Sequence, residues 1–179
     1  MKKNKILSLT VMSLLIFIMS INISYASEFD KTISENRDYV IINGKHIVYE
    51  GENFEDPSTG EYFRWDNSRG IDKFFSFKIR YSVQSSNFRV NSSKVLIASD
   101  AHIENSSGRK LYGYNGHSYT VSIGGWYSRD LKFAVGGNEA GTVSGLTKGG
   151  QYRVSIYNSD SLGEDKYLVG EGTVSTVED

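Results

Sequence analysis

The sequence predicts an all-β protein, an antiparallel sandwich of about seven strands behind an N-terminal extension that carries a β-hairpin. Apolar and polar residues alternate, most plainly where Phe75, Phe77, Ile79, Tyr81 and Val83 interleave with Ser76, Lys78, Arg80 and Ser82. That period of two turns one strand face to a core and the other to water. Turn-forming clusters separate such runs: Ser85-Ser86-Asn87, Asn105-Ser106-Ser107-Gly108, Gly124-Gly125, Gly136-Gly137-Asn138 and Gly149-Gly150. Their spacing is that of short sandwich strands. No window of helical period competes with them, and there is no internal repeat.

The chain opens with Lys2, Lys3 and Lys5, and no acidic residue precedes Glu28. An apolar run from Ile6 to Ile23 follows, broken only by Ser8, Thr10, Ser13, Ser20 and Asn22, and it ends on Ser24-Tyr25-Ala26. A basic start, an apolar middle and small residues at −3 and −1 of a cut after Ala26 make a Sec-type signal peptide over residues 1–26. An uncleaved anchor is the rival, because the run approaches the length of a membrane span. The small residues at the cut and the polar residues after it favour cleavage. With no cysteine there is no lipidation site at the cut, and Thr176-Val177-Glu178-Asp179 is neither an apolar tail nor a sorting pattern. The expected product is secreted, extracellular and free of a stable membrane anchor.

Cleavage would leave 153 residues, enough for one domain with an extension. The leader holds three of the 20 basic residues and none of the 21 acidic ones, so the remainder has a net charge of −4. That argues against nucleic acid as a partner, which calls for a basic patch. With no disulfide available to an exported chain, stability must come from the core. The heavy use of Lys, Asn, Ile and Ser, with no Cys, is similar to that of low-GC Gram-positive bacteria.

Residues 27–70 read as the extension. Within it, Tyr39–Ile42 and Lys45–Tyr49 flank Asn43-Gly44, the strongest two-residue hairpin signal because both positions of its turn need positive φ. A polar loop from Glu50 to Glu61 follows, with the single proline in Pro57-Ser58-Thr59-Gly60, and then Tyr62-Phe63-Arg64-Trp65, a short strand or an aromatic plug. The sandwich proper is expected over residues 71–179. Its first strand runs from Phe75 to Val83. Val95, Ile97, Ala101 and Ile103 mark the second, Tyr119, Val121 and Ile123 the third, Leu131, Phe133 and Val135 the fourth, and Thr142–Leu146 the fifth. Tyr152, Val154 and Ile156 mark the sixth, and Tyr167, Val169 and Thr173 the seventh.

The segment Gly145–Ile156, GLTKGGQYRVSI, resembles the corner between the fifth and sixth strands of fibronectin type III and related immunoglobulin-like domains. There a Leu ends one strand and a Tyr opens the next, its hydroxyl bonding back to the turn. Leu146 and Tyr152 take those places. The resemblance implies an immunoglobulin-like sandwich. Lys148 replaces the family's turn proline and no early-strand tryptophan is in place, so it does not extend to fibronectin type III itself. The mature chain, with its TGEYFRW segment ahead of one sandwich, also resembles small exported proteins of Gram-positive bacteria, which implies no activity.

No motif carries chemistry. His46, His102 and His117 lie in separate strands or strand edges without metal-ligand spacing, and there is no G-x-S-x-G elbow. The loop from Asn158 to Asp165 is rich in oxygen, and Asn158, Asp160, Glu164 and Asp165 are candidate calcium ligands. Their spacing misses the calcium-loop signature, which favours a polar turn and no metal. A second acidic cluster, Glu50, Glu52, Glu55 and Asp56, reads the same way. Tyr112, Tyr114, Trp126 and Tyr127 sit in or beside Gly/Asn-rich turns, where rings stack on sugars or anchor partners; core caps are the competing reading.

These readings favour a non-catalytic binding module without cofactor, its partner an extracellular protein or carbohydrate. The alternative is a structural or assembly subunit of an extracellular matrix, pairing through edge strands. An enzyme ranks last.

Overall fold

The computed structural model of the chain describes residues 31–33, 39–42, 45–49, 53–66, 73–124, 128–159 and 162–177. The expected leader, the Asn43-Gly44 turn, Trp126, Tyr127 and Asp160 lie outside the described residues. No helix of the described residues is long and apolar enough to cross a membrane. Lys31–Asp179 groups into one compact unit.

Every regular element described is a strand: β1 (Lys31–Ile33), β2 (Tyr39–Ile42), β3 (His46–Tyr49), β4 (Asn53–Asp56), β5 (Glu61–Asp66), β6 (Lys73–Ile79), β7 (Ser82–Gln84), β8 (Phe88–Val90), β9 (Lys94–Asn105), β10 (Lys110–Leu111), β11 (Ser118–Gly124), β12 (Ser128–Ala134), β13 (Asn138–Ser144), β14 (Gly150–Asn158) and β15 (Lys166–Val177). They form two sheets. The first runs β1-β2-β3-β7-β14-β11-β12, with β8 also on β14; the second runs β10-β9-β15-β6-β5-β4, with β13 also on β9. Among the described strands all pairs are antiparallel except β3 with β7.

From β6 onward the pairing is nested. The strands β6 and β15 pair, β7 and β8 both pair with β14, β9 with β13, and β11 with β12. This is one long hairpin, its two arms the first and second halves of that stretch. Wrapping it brings β15 against β9 and β14 against β11, which completes the two sheets. The order is that of a jelly roll, two Greek keys in one sandwich. It departs from the immunoglobulin-like expectation, under which the last strand joins the sheet of the third and sixth. Here β15 lies with β9 and β6 instead. The corner motif that suggested the other order is present, but it fixes only the crossing from β13 to β14.

Three local expectations change as well. The strand expected over Phe75–Val83 breaks at Arg80-Tyr81, and its halves, β6 and β7, enter different sheets, so Val83 packs in the core from the opposite side. The loop expected over Glu50–Glu61 contains β4, and its Pro57–Gly60 turn makes a tight hairpin with β5. Asp56, only 3 % exposed, accepts the Ser58 N–H and hydroxyl and so satisfies a turn that its own burial would otherwise leave costly.

The third change is in β15, whose inward face is Leu168, Gly170, Gly172 and Val174 rather than Tyr167, Val169 and Thr173. Gly170 and Gly172 lie opposite Phe77 and Phe75 of β6. A Cβ on Gly172 would stand 2.4 Å from the Phe75 ring, and one on Gly170 2.7 Å from the Phe77 ring. The rings of one strand therefore fill the gaps of the next. Phe63 stacks on Phe75 with ring centroids 5.7 Å apart, and Trp65 meets Phe75 and Phe88 edge-on or tilted, so β5 belongs to the same aromatic core. Tyr119 of the first sheet donates its hydroxyl to Ser99 of the second at 2.9 Å, and Ser99 donates to the Glu171 carbonyl, a buried polar tie between the sheets.

Candidate functional site

The alternation that buries Phe75, Phe77, Ile97 and Val174 turns their neighbours onto the outer face of the second sheet. Register then aligns residues that are far apart in sequence. Ser76, Glu171, Asp100 and Asn138 form one row across β6, β15, β9 and β13; Asp66, Phe74, Thr173 and Ala98 form the next, from β5 to β9. The two rows border an open groove of about 350 Å³. One wall carries the half-buried Phe74 ring. Ser76, Thr173, Asn138, Asp66, Asp100 and Glu171 bring most of the groove's polar groups.

The charges on this face are unevenly matched. Glu55 pairs with Arg64 at 2.6 Å, and Glu104 with His102 at 2.9 Å and Lys78 at 4.0 Å. Lys78 also lies over the Tyr167 ring, and Arg64 over Tyr62. Asp100 and Glu171 are direct cross-strand partners, an arrangement that like charges disfavour. Among the described residues neither forms a salt bridge.

The residues singled out in the sequence fall elsewhere. Tyr112 is 86 % exposed in the loop between β10 and β11, while Tyr114 packs on the core and against His117, ring centroids 4.9 Å apart. Asn158 donates its side-chain amide to the Arg80 carbonyl, tying β14 to the break between β6 and β7. Asp165 pairs with Lys166, whose ammonium holds the carboxyl below its usual range, and Glu164 is exposed beside it. Among the described residues no three His, Asp or Glu side chains cluster to hold a metal. The groove residues were not singled out because each, taken alone, reads as the solvent side of a strand; only the register assembles them.

One serine–histidine contact has the length of a nucleophile–base pair: His46 Nδ1 lies 2.7 Å from Ser82 Oγ. Ser82 is buried on β7, and the His46 ring stacks on Tyr157, centroids 6.0 Å apart. Burial lowers the His46 pKa. Among the described residues no carboxylate bonds its other nitrogen, the partner that orients a catalytic base.

No protein-family model matches the chain, and no curated protein matches its sequence. Solved structures similar to it include the Drosophila melanogaster CENP-C cupin domain, 8 % identical with a TM-score of 0.30 over 70 % of this chain and 76 % of that one. TmCBM61 in complex with beta-1,4-galactotriose is 9 % identical with a TM-score of 0.28 over 69 % and 76 %. An alpha-L-fucosidase from a Vibrio strain is 12 % identical with a TM-score of 0.35 over 76 % of this chain and 25 % of its own.

Proposed function

We propose that the chain is an exported, non-catalytic binding module, and that the groove on its second sheet seats a segment of an extracellular glycan. The groove itself carries this reading. An aromatic wall beside hydroxyls, an amide and carboxylates suits a sugar ring, which offers an apolar face and a rim of hydroxyl donors. The site lies on paired strands, so it is preorganised. Three of the sheet edges favour binding over assembly by strand addition: β4 is four residues long and stops just before Pro57, β1 has three residues, and β12 carries Arg129, Asp130 and Lys132. Short, charged and proline-stopped edges resist pairing with another chain.

Screening the secreted chain on a glycan array tests the reading. Binding should fall sharply in Phe74→Ala and in Ala98→Trp, which fills the groove, with thermal midpoints confirming the fold. Binding untouched by both variants would refute the groove. Labelling of Ser82 by a fluorophosphonate would refute the non-catalytic part. Intact mass of the secreted protein should place Ser27 at its N-terminus; a full-length mass in the membrane fraction would overturn export.

The exposed Tyr112 favours a second reading, in which the loop between β10 and β11 anchors a protein partner. Tyr112→Ala would then abolish capture of that partner without altering the groove.

A further inference from the structure

Resting on the groove as a glycan seat, we infer that its ligand is an amine-bearing glycan, a run of hexosamine units with free ammonium groups. The groove's donors and acceptors are out of balance. Asp66, Asp100 and Glu171 only accept when ionised, and the hydroxyls of Ser76 and Thr173 accept as well as donate. A neutral sugar meets those acceptors with hydroxyl donors and leaves the charges of Asp100 and Glu171 uncompensated. An ammonium group seated between Asp100 and Glu171 meets both carboxylates and relieves their cross-strand repulsion. Elsewhere on this face Glu55 has Arg64 as its partner, and Glu104 has Lys78 and His102. Among the described residues Asp100 and Glu171 form no salt bridge, so their cation is left to the ligand.

The remaining lining selects a sugar over a basic peptide arm. A lysine side chain would satisfy the carboxylates but offer nothing to Ser76, Thr173 and Asn138, and only methylenes to Phe74. A hexosamine supplies an ammonium, ring hydroxyls for those polar groups and a C–H face for the aromatic wall in one rigid unit. The volume of about 350 Å³ lies at the lower end of small-ligand sites, which suits one or two rings with the rest of the chain running out of the open groove.

The test uses the secreted chain and four probes: the glucosamine hexamer, its N-acetylated counterpart, the glucose hexamer and hexalysine. Calorimetry should show the glucosamine hexamer binding at least about tenfold more tightly than the other three. The preference should vanish when the pH is raised until the sugar amine is neutral, and it should weaken with salt. Asp100→Asn and Glu171→Gln should each erase most of the preference at unchanged thermal midpoint. Equal binding of the acetylated or glucose hexamer, blocked by Ala98→Trp, would overturn the ammonium while leaving the groove as a glycan seat. Equal binding of hexalysine would overturn the sugar. Glucosamine binding indifferent to Ala98→Trp would overturn both the inference and the groove, and no binding by any probe would overturn the inference.

Discussion

The Tyr152 hydroxyl accepts the Thr147 N–H at 2.6 Å across the turn from β13 to β14, and a Cβ on Gly150 would stand 2.8 Å from the Tyr152 ring and from the Thr147 carbonyl. Hydroxyl, ring and glycine form one closed unit. Tyr152→Phe leaves the Thr147 N–H without its acceptor and should cost about 1 kcal/mol, read as a lower urea midpoint at unchanged slope. Gly150→Ala should cost about 1–3 kcal/mol through overpacking. Gly116→Ala, with open space around its Cβ, should lie near zero in the same assay. His46 adds a pH dependence of known sign. Burial keeps its folded pKa below 6.5, so the unfolded chain takes up the proton first as the solution is acidified. Its contribution is complete above that value and is lost as pH falls from there through the folded pKa. Stability of the wild type should therefore fall more steeply over this range than that of His46→Gln.

Two ion pairs on neighbouring strands differ in what surrounds them. Glu61 is almost fully buried and takes three bonds from Arg80, one from the backbone N–H and two from the guanidinium, which bolts the β4–β5 hairpin to the point where the chain leaves the second sheet for the first. The Tyr167 hydroxyl donates to the Thr59 carbonyl and ties the same turn to β15. Glu55 and Arg64 meet in solvent. Glu61→Gln should cost about 2 kcal/mol, Glu55→Gln less than about 1 kcal/mol, by thermal melts at neutral pH. This hairpin also shows what local sequence conceals. Acidic and turn-forming residues around Pro57 read as a loop because their partners, Arg80 and Tyr167, lie far along the chain. Strands with unbroken alternation, such as Val95–Ile103 and Tyr119–Ile123, were legible with their faces. In β15 two of the four inward positions are glycines, so the alternation shows Tyr167 and Val169 and points to the wrong face. The groove was illegible for a related reason: its carboxylates and Phe74 come from separate strands that only long-range pairing sets side by side.

At the scale of the molecule, the question is whether residues 71–179 are a domain with an appendage before it or a jelly roll completed by that appendage. The nested pairing from β6 to β15 forms a closed order without β1 to β5, which is why an extension ending near residue 70 was a natural division. The contacts at that border are those of a core. Strand β5 lies along β6 with five paired residues from Tyr62 to Asp66, and its Phe63 is fully buried against Phe75. Trp65 fills the angle between Phe75 and Phe88, and Tyr49 of β3 packs on Phe54 and Phe63. Removing residues 27–70 would strip aromatic cover from Phe75, expose the backbone edge of β6 and leave β7 without β3 beside it. Each large ring lost from a core costs about 3–5 kcal/mol, and a single domain has only about 5–15 kcal/mol to lose. The bare edge of β6, apolar on one side, would also invite pairing between chains. A chain starting at Ile71 should therefore show no cooperative melt and should elute from size-exclusion as soluble aggregate, whereas a chain starting at Ser27 should give one sharp transition. A monomeric 71–179 fragment melting cooperatively within a few degrees of the chain starting at Ser27 would show instead that the sandwich is complete without β1 to β5.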